Sequence, residues 1–175
     1  YKTSKLKKYI GSCKYSLAST FSFHAIKNIT TAEGGCITTN NYKIYKKVKL
    51  LRSHHLERNI KKISRLPERN AKWYYEAKEV GWNYRLNELS SALGNSQIKY
   101  LEFNIKKRNQ LARIYDDTLS DLPISLPEIS NDCISSYHLY IIQLTGEEAE
   151  AKRLFLYNEM YKKGIGVNVH YIPVH

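Results

Sequence analysis

One lysine in this chain is set apart from the rest. Lysines here mostly come in pairs or runs (Lys7-Lys8, Lys46-Lys47, Lys61-Lys62, Lys106-Lys107, Lys162-Lys163). Lys27 instead sits in Phe21-Ser22-Phe23-His24-Ala25-Ile26-Lys27-Asn28-Ile29-Thr30-Thr31-Ala32-Glu33-Gly34-Gly35-Cys36-Ile37-Thr38-Thr39, among small and uncharged neighbours. Its nearest charged neighbours are Lys14 upstream and Glu33 downstream. A lysine that sheds part of its hydration favours the neutral amine, a nucleophile able to condense with a carbonyl. An isolated lysine is equally an ordinary surface residue whose stem lies on apolar surface while its head stays in water. Composition and spacing alone favour that plainer role. Gly34 and Gly35 supply the backbone freedom for a tight reversal into the alternating stretch Cys36–Thr39.

Other groups that could do chemistry are weaker. His54 and His55 are adjacent, so on a helix they point in different directions, and no carboxylate or cysteine completes a ligand set. Cys13, Cys36 and Cys133 are odd in number and lack CxxC spacing, which argues against a disulfide framework or a zinc site. No metal site is expected. His24 reads as a structural histidine more readily than as a site residue.

Three segments share one resemblance. The run Ser22–Gly35 closely resembles the cofactor-lysine motif of the DegT/DnrJ/StrS sugar aminotransferases. Gly81-Trp82-Asn83-Tyr84-Arg85-Leu86-Asn87-Glu88 resembles that family's G-x-N-[FY]-[RK]-[ML]-x-[ED] segment. Gly164-Ile165-Gly166-Val167-Asn168-Val169-His170-Tyr171-Ile172-Pro173-Val174-His175 resembles its C-terminal substrate-side strand. Order and spacing match, and the likeness covers essentially all 175 residues.

The resemblance implies an α/β chain, part of a fold-type-I pyridoxal phosphate transferase of the aspartate aminotransferase type. Residues 1–100 would be the C-terminal part of the large cofactor-binding domain. Residues 101–175 would be the linking helix and an incomplete α+β small domain. Lys27 would anchor pyridoxal 5'-phosphate as a Schiff base and act as general acid and base. Ser22 would contact the cofactor phosphate, and Asn83 would reach the phosphate of a neighbouring subunit, making the enzyme a homodimer with composite sites. His170 and Tyr171 would approach the sugar. The implied reaction moves an amino group from an amino acid, glutamate in most members, to the keto group of a nucleotide-linked deoxysugar for cell-surface polysaccharide or glycan synthesis. Lys27 also speaks against relatives that lose this lysine and act as dehydratases.

The family's acidic partner for the pyridine nitrogen, its ring-stacking aromatic and its first phosphate loop precede the lysine motif. None of them is found here. The chain opens without Met and closes inside a strand-like pattern, so a fragment is expected, one that could be catalytically inert alone.

The elements that must position these residues are only partly readable. A helix is expected from about Tyr42 to His55, capped by Asn40 or Asn41, with Ile44, Val48 and Leu51 at helical spacing. A long helical stretch from about Leu86 to Leu119 carries Leu86, Leu89, Leu93, Ile98, Leu101 and Ile105, with the domain boundary inside it. Gly94 within it reads as a point of close packing. Asn83 or Asn87 could cap its start. Tyr137–Leu144 reads as a buried strand, about Glu147 to Lys163 as a helix closed by Gly164, and Val167–Tyr171 as a half-buried strand.

Hydrophobic residues are 42% and charged residues 25%, a globular balance. No apolar stretch is long enough to cross a membrane as a helix, and free cysteines fit a reducing cytoplasm. Lys and Arg number 28 against 16 Asp and Glu, a net charge of +12. That balance, with the Trp73-Tyr74-Tyr75 cluster, allows a basic nucleic-acid-binding module as a competing reading. It leaves the three ordered motifs unexplained, and an aromatic patch at a subunit interface is the preferred role for the cluster.

Overall fold

The computed structural model describes residues 2–3, 8–65 and 71–174. Residues 66–70, and His175 at the end of the third motif, lie outside them. The centre of the first half is a hairpin. β3 (Ser19–Ser22) and β4 (Gly35–Thr38) pair antiparallel with Ser19 opposite Thr38 and Ser22 opposite Gly35. The twelve-residue connection between them carries Lys27. Upstream, β1 (Lys2–Thr3) lies between β2 (Lys8–Tyr9) and the distant β8 (Cys133–Ile134).

α1 (Tyr42–Leu51) starts at Asn41, whose side chain accepts from the N–H groups of Lys43 and Ile44, as a cap should. It ends four residues short of the expected His55. The reason is a competing set of donors: the N–H groups of Trp82 and Tyr84 donate to the Leu51 and Arg52 carbonyls. His54 and His55 then turn with positive φ into β5 (Leu56–Glu57), which pairs with β6 (Glu76–Ala77).

The long helical stretch is two helices, α2 (Glu88–Ile98) and α3 (Leu101–Leu119), separated at Lys99-Tyr100. Asn87 caps α2 by accepting from the Ser90 N–H at 2.8 Å. Tyr100, at the start of α3, makes no side-chain cap bond. After α3, β7 (Ile124–Ser125) pairs with β9 (Gln143–Leu144). α4 (Ala149–Lys162) ends on Gly164 at φ +74°, where the Ile165 N–H donates back to the Met160 carbonyl, the expected glycine stop.

Two expected strands are not found. Of Tyr137–Leu144 only Gln143 and Leu144 join a ladder. The carbonyls just before and at its start are taken by side chains instead. Asn109 donates to Ser135, Asn28 to Ser136, and Arg108 to Tyr137 and His138. Val167–Tyr171 is irregular and joins no ladder among the described residues. Val167, Val169 and Tyr171 are exposed.

Candidate active site around Lys27

The Lys27 loop is built by short-range hydrogen bonds. The Phe23 N–H donates to the Gly34 carbonyl at 2.8 Å, and the Thr31 N–H to the Phe23 carbonyl at 2.9 Å, closing the loop at its base. The Thr31 hydroxyl donates to the Glu33 carbonyl, and the Thr30 hydroxyl accepts from the Ala32 N–H. Thr31 is only 2% exposed. Two glycines close around it: a Cβ on Gly34 would stand 2.5 Å from its Oγ1, and one on Gly94 would stand 2.9 Å from its Cγ2. α2 therefore packs directly on the loop, and Gly94 marks close packing as its position suggests.

Lys27 leaves this frame half-buried, with its N–H donating to the His24 carbonyl at 2.9 Å. Its Nζ lies 3.3 Å from His138 Nε2. No carboxylate pairs with it among the described residues. Next to it, Asn28 Nδ2 donates to the Ser136 carbonyl at 3.0 Å. Burial first, then Lys27, Arg108 and His170, push the His138 pKa below the ordinary histidine value, so its ring favours the neutral state. Asn28 Oδ1, His138 Nδ1 and His170 Nδ1 are buried without a hydrogen-bond partner among the described residues. Buried polar atoms are seldom left so, and two of these belong to residues at Lys27: Asn28, next to it in the chain, and His138, whose Nε2 meets its amine.

The other expected site residues are spread around this centre. Ser22 ends β3 at the loop's base and is exposed, and its hydroxyl accepts from the His24 N–H at 3.3 Å. His24 faces Glu33 at 3.6 Å, which suits the structural role expected of it. His170 has its Nδ1 buried, and its ring packs edge-on against Tyr171 at 4.3 Å. Tyr171 points outward and is 71% exposed. Asn83 stands apart. It lines a cavity of about 990 Å³ with Phe21, Gly35, Arg52, Trp82 and Tyr84, and Lys27 is not among the lining residues. Its side chain is exposed and does not cap α2, a job that Asn87 does.

The family model of the DegT/DnrJ/EryC1/StrS aminotransferases matches residues 3–175. The chain belongs to this family. The UDP-4-amino-4,6-dideoxy-N-acetyl-beta-L-altrosamine transaminase of Helicobacter pylori is 42% identical over 163 residues, which are 92% of this chain and 40% of that protein. The solved structure of Helicobacter pylori PseC, an aminotransferase involved in the biosynthesis of pseudoaminic acid, superposes with a TM-score of 0.77 at 40% identity, covering 91% of this chain and 40% of that one. The PLP-form of the putative sugar aminotransferase Spr1654 from Streptococcus pneumoniae gives a TM-score of 0.81 at 26% identity, over 98% and 41% of the two chains. The α/β, fold-type-I expectation thus holds for the part present, and the chain spans about 40% of the length of the curated relatives it matches. No described helix is long and apolar enough to cross a membrane.

Sequence reasoning missed His138, Asn28, Thr31, Arg108 and Asn109. His138 is 111 positions from Lys27, and no local spacing joins them. The one available signal was polar: Ser135-Ser136-Tyr137-His138 is a poor opening for a buried strand.

Proposed function

We propose that this chain carries the lysine-bearing part of a pyridoxal 5'-phosphate-dependent aminotransferase, one that transfers an amino group from an amino acid, glutamate by preference, to a keto group of a nucleotide-linked deoxysugar. The product would serve cell-surface polysaccharide or glycan synthesis in the cytoplasm. The observation that carries this reading is the environment of Lys27: an amine in the family's lysine motif, half-buried, free of any carboxylate among the described residues, and met by His138, whose Nδ1, like the Oδ1 of the adjoining Asn28, is buried without a partner among the described residues. A carboxylate partner would hold the ammonium and oppose condensation more strongly than a neutral imidazole does.

Pyridoxal phosphate supplies an aldehyde for that amine and an electron-withdrawing ring for charge at a neighbouring carbon. Lys27 Nζ is the covalent anchor and the proton carrier at the donor's α-carbon. Ser22 Oγ is assigned to the cofactor phosphate. Asn83, which lines a cavity that Lys27 does not, is assigned to the phosphate of a second subunit in a homodimer with composite sites. His170 and Tyr171 are assigned to the sugar. The proposal divides the chain into 1–100, with the lysine loop, and 101–175; the break at Lys99-Tyr100 supports that division.

Purified chain mixed with pyridoxal phosphate, reduced with borohydride and peptide-mapped should carry the adduct on Lys27 above every exposed lysine. Lys27→Ala should lose that adduct while keeping its circular dichroism spectrum. Equal labelling across the surface lysines would overturn the reading.

A further inference from the structure

His138 lies between the second and third family motifs, and none of the three assigns it a role. Its backbone is nevertheless fixed from two sides. From α3, Arg108 Nη1 donates to the Tyr137 and His138 carbonyls at 2.9 and 3.4 Å, and Asn109 Nδ2 to the Ser135 carbonyl at 2.9 Å. From the lysine loop, Asn28, the residue after Lys27, donates to the Ser136 carbonyl. A histidine held only for packing would be expected to spend its ring nitrogens on nearby backbone. Here Nε2 meets the Lys27 amine at 3.3 Å, and Nδ1 is buried without a partner among the described residues.

We infer that His138 is a positioning residue for Lys27: its Nε2 lone pair accepts a hydrogen bond from the Nζ ammonium and sets the direction of the amine, with the ring proton on Nδ1. The purpose of this bond rests on the aminotransferase reading, whereas the bond itself does not. An ammonium has only donors, so Nε2 must be the acceptor and the tautomer follows. The charged or titratable groups facing the ring are Lys27 from the loop, Arg108 from α3 and His170 from the C-terminal segment. Tyr115 and Tyr140 line the small cavity on the α3 side. The nearest are basic and oppose a second proton on the imidazole, so His138 orients the amine and does not take its proton.

Two measurements on the whole chain test this. Long-range proton–nitrogen correlation should report the Nδ1–H tautomer for His138; an Nε2–H tautomer overturns the proposal, and this needs no variant. The second compares two aldehydes on wild type, His138→Leu and His138→Gln, with labelling of Lys27 read against the exposed Lys43. Formaldehyde with cyanoborohydride senses only how available the amine is. Losing an acceptor for the ammonium should raise the Lys27 rate in His138→Leu by about tenfold, the scale of one charge-assisted hydrogen bond. Pyridoxal phosphate also senses orientation, so its trapped yield on Lys27 should fall in the same variant. His138→Gln, whose amide oxygen can accept, should restore both. A Lys27 to Lys43 ratio unchanged with formaldehyde, or a fall with both aldehydes, overturns the role. If pyridoxal phosphate fails to label Lys27 in wild type, the cofactor reading falls, while the tautomer and the formaldehyde rates still decide His138.

Discussion

Replacing Gly94 by alanine sets two effects of known size against each other. Gly94 lies inside α2, where alanine is favoured over glycine by about 0.8–1 kcal/mol. The new methyl, however, would stand 2.9 Å from Thr31 Cγ2, well inside the roughly 3.5–4.0 Å separation of carbons in contact. Thr31 is fully enclosed, so it has no open side to move into. Overpacking of this kind costs about 1–3 kcal/mol, leaving Gly94→Ala destabilised by about 0–2 kcal/mol. The sign should reverse once the obstacle is removed. Thr31→Ala costs stability by itself, through the lost hydroxyl bond to the Glu33 carbonyl and the lost methyl packing. In that background Gly94→Ala meets nothing and should stabilise by about 1 kcal/mol. Urea unfolding of the four proteins, followed by tryptophan fluorescence and circular dichroism, gives the coupling, expected at about 1–3 kcal/mol. Additivity within about 0.5 kcal/mol would refute the claim that α2 is seated on the lysine loop at this contact.

Asn87→Ala removes the α2 cap and should lower stability by about 1 kcal/mol in the same urea assay, whereas Asn83→Ala should not, because Asn83 caps nothing. Stability should also depend on the charge of His138. Its pKa in the fold lies below the ordinary 6.5, chiefly through burial and then through Lys27, Arg108 and His170. Between the two values the unfolded chain binds more protons, so stability rises with pH there and is lost as pH falls. Titrating the urea midpoint from about pH 8 down to about pH 5 should show this fall, and His138→Gln should flatten it. An unchanged slope in His138→Gln would mean that another group carries the dependence.

The lysine hairpin is legible in the sequence because its signals are local. Strand alternation, a loop whose charges are only Lys27 and Glu33, and Gly34-Gly35 all fall within twenty residues. The cap at Asn41 and the stop at Gly164 are legible for the same reason. The α1 end is not, since it is decided by N–H groups of Trp82 and Tyr84 some thirty positions away. The expected strand at Tyr137–Leu144 fails for a related cause: side chains of Asn28, Arg108 and Asn109 satisfy the carbonyls at its opening, and nothing in the apolar pattern encodes those donors. The break between α2 and α3 is hidden because apolar spacing runs through Lys99-Tyr100 without interruption. Of the site, Lys27 is visible through its motif, while His138 becomes visible only when the fold brings it across.

The chain's surface sets a further expectation. Its accessible area is 14419 Å², against about 8,800 Å² expected for a compact monomer of this size. The excess, roughly 5,600 Å², is on the scale of the largest obligate interfaces. Among the described apolar residues only Ile63 and Ala112 are buried, while Leu89 and Ile98 of α2 and Phe103, Leu111 and Ile114 of α3 are exposed. The lysine loop is thus held by its own hydrogen bonds and the Thr31 contact more than by a deep core. In solution, such faces should bind a fluorescent hydrophobic dye strongly and give a shallow urea transition, since little surface remains to be exposed on unfolding. A chain that binds no dye and unfolds with the steep slope of a compact protein would refute this, and sedimentation would then show whether copies cover one another's helices. If the prediction holds, any element that covers α2 should steepen the transition and suppress dye binding. The Lys27–His138 bond should not change, because every group that fixes it lies within the described chain.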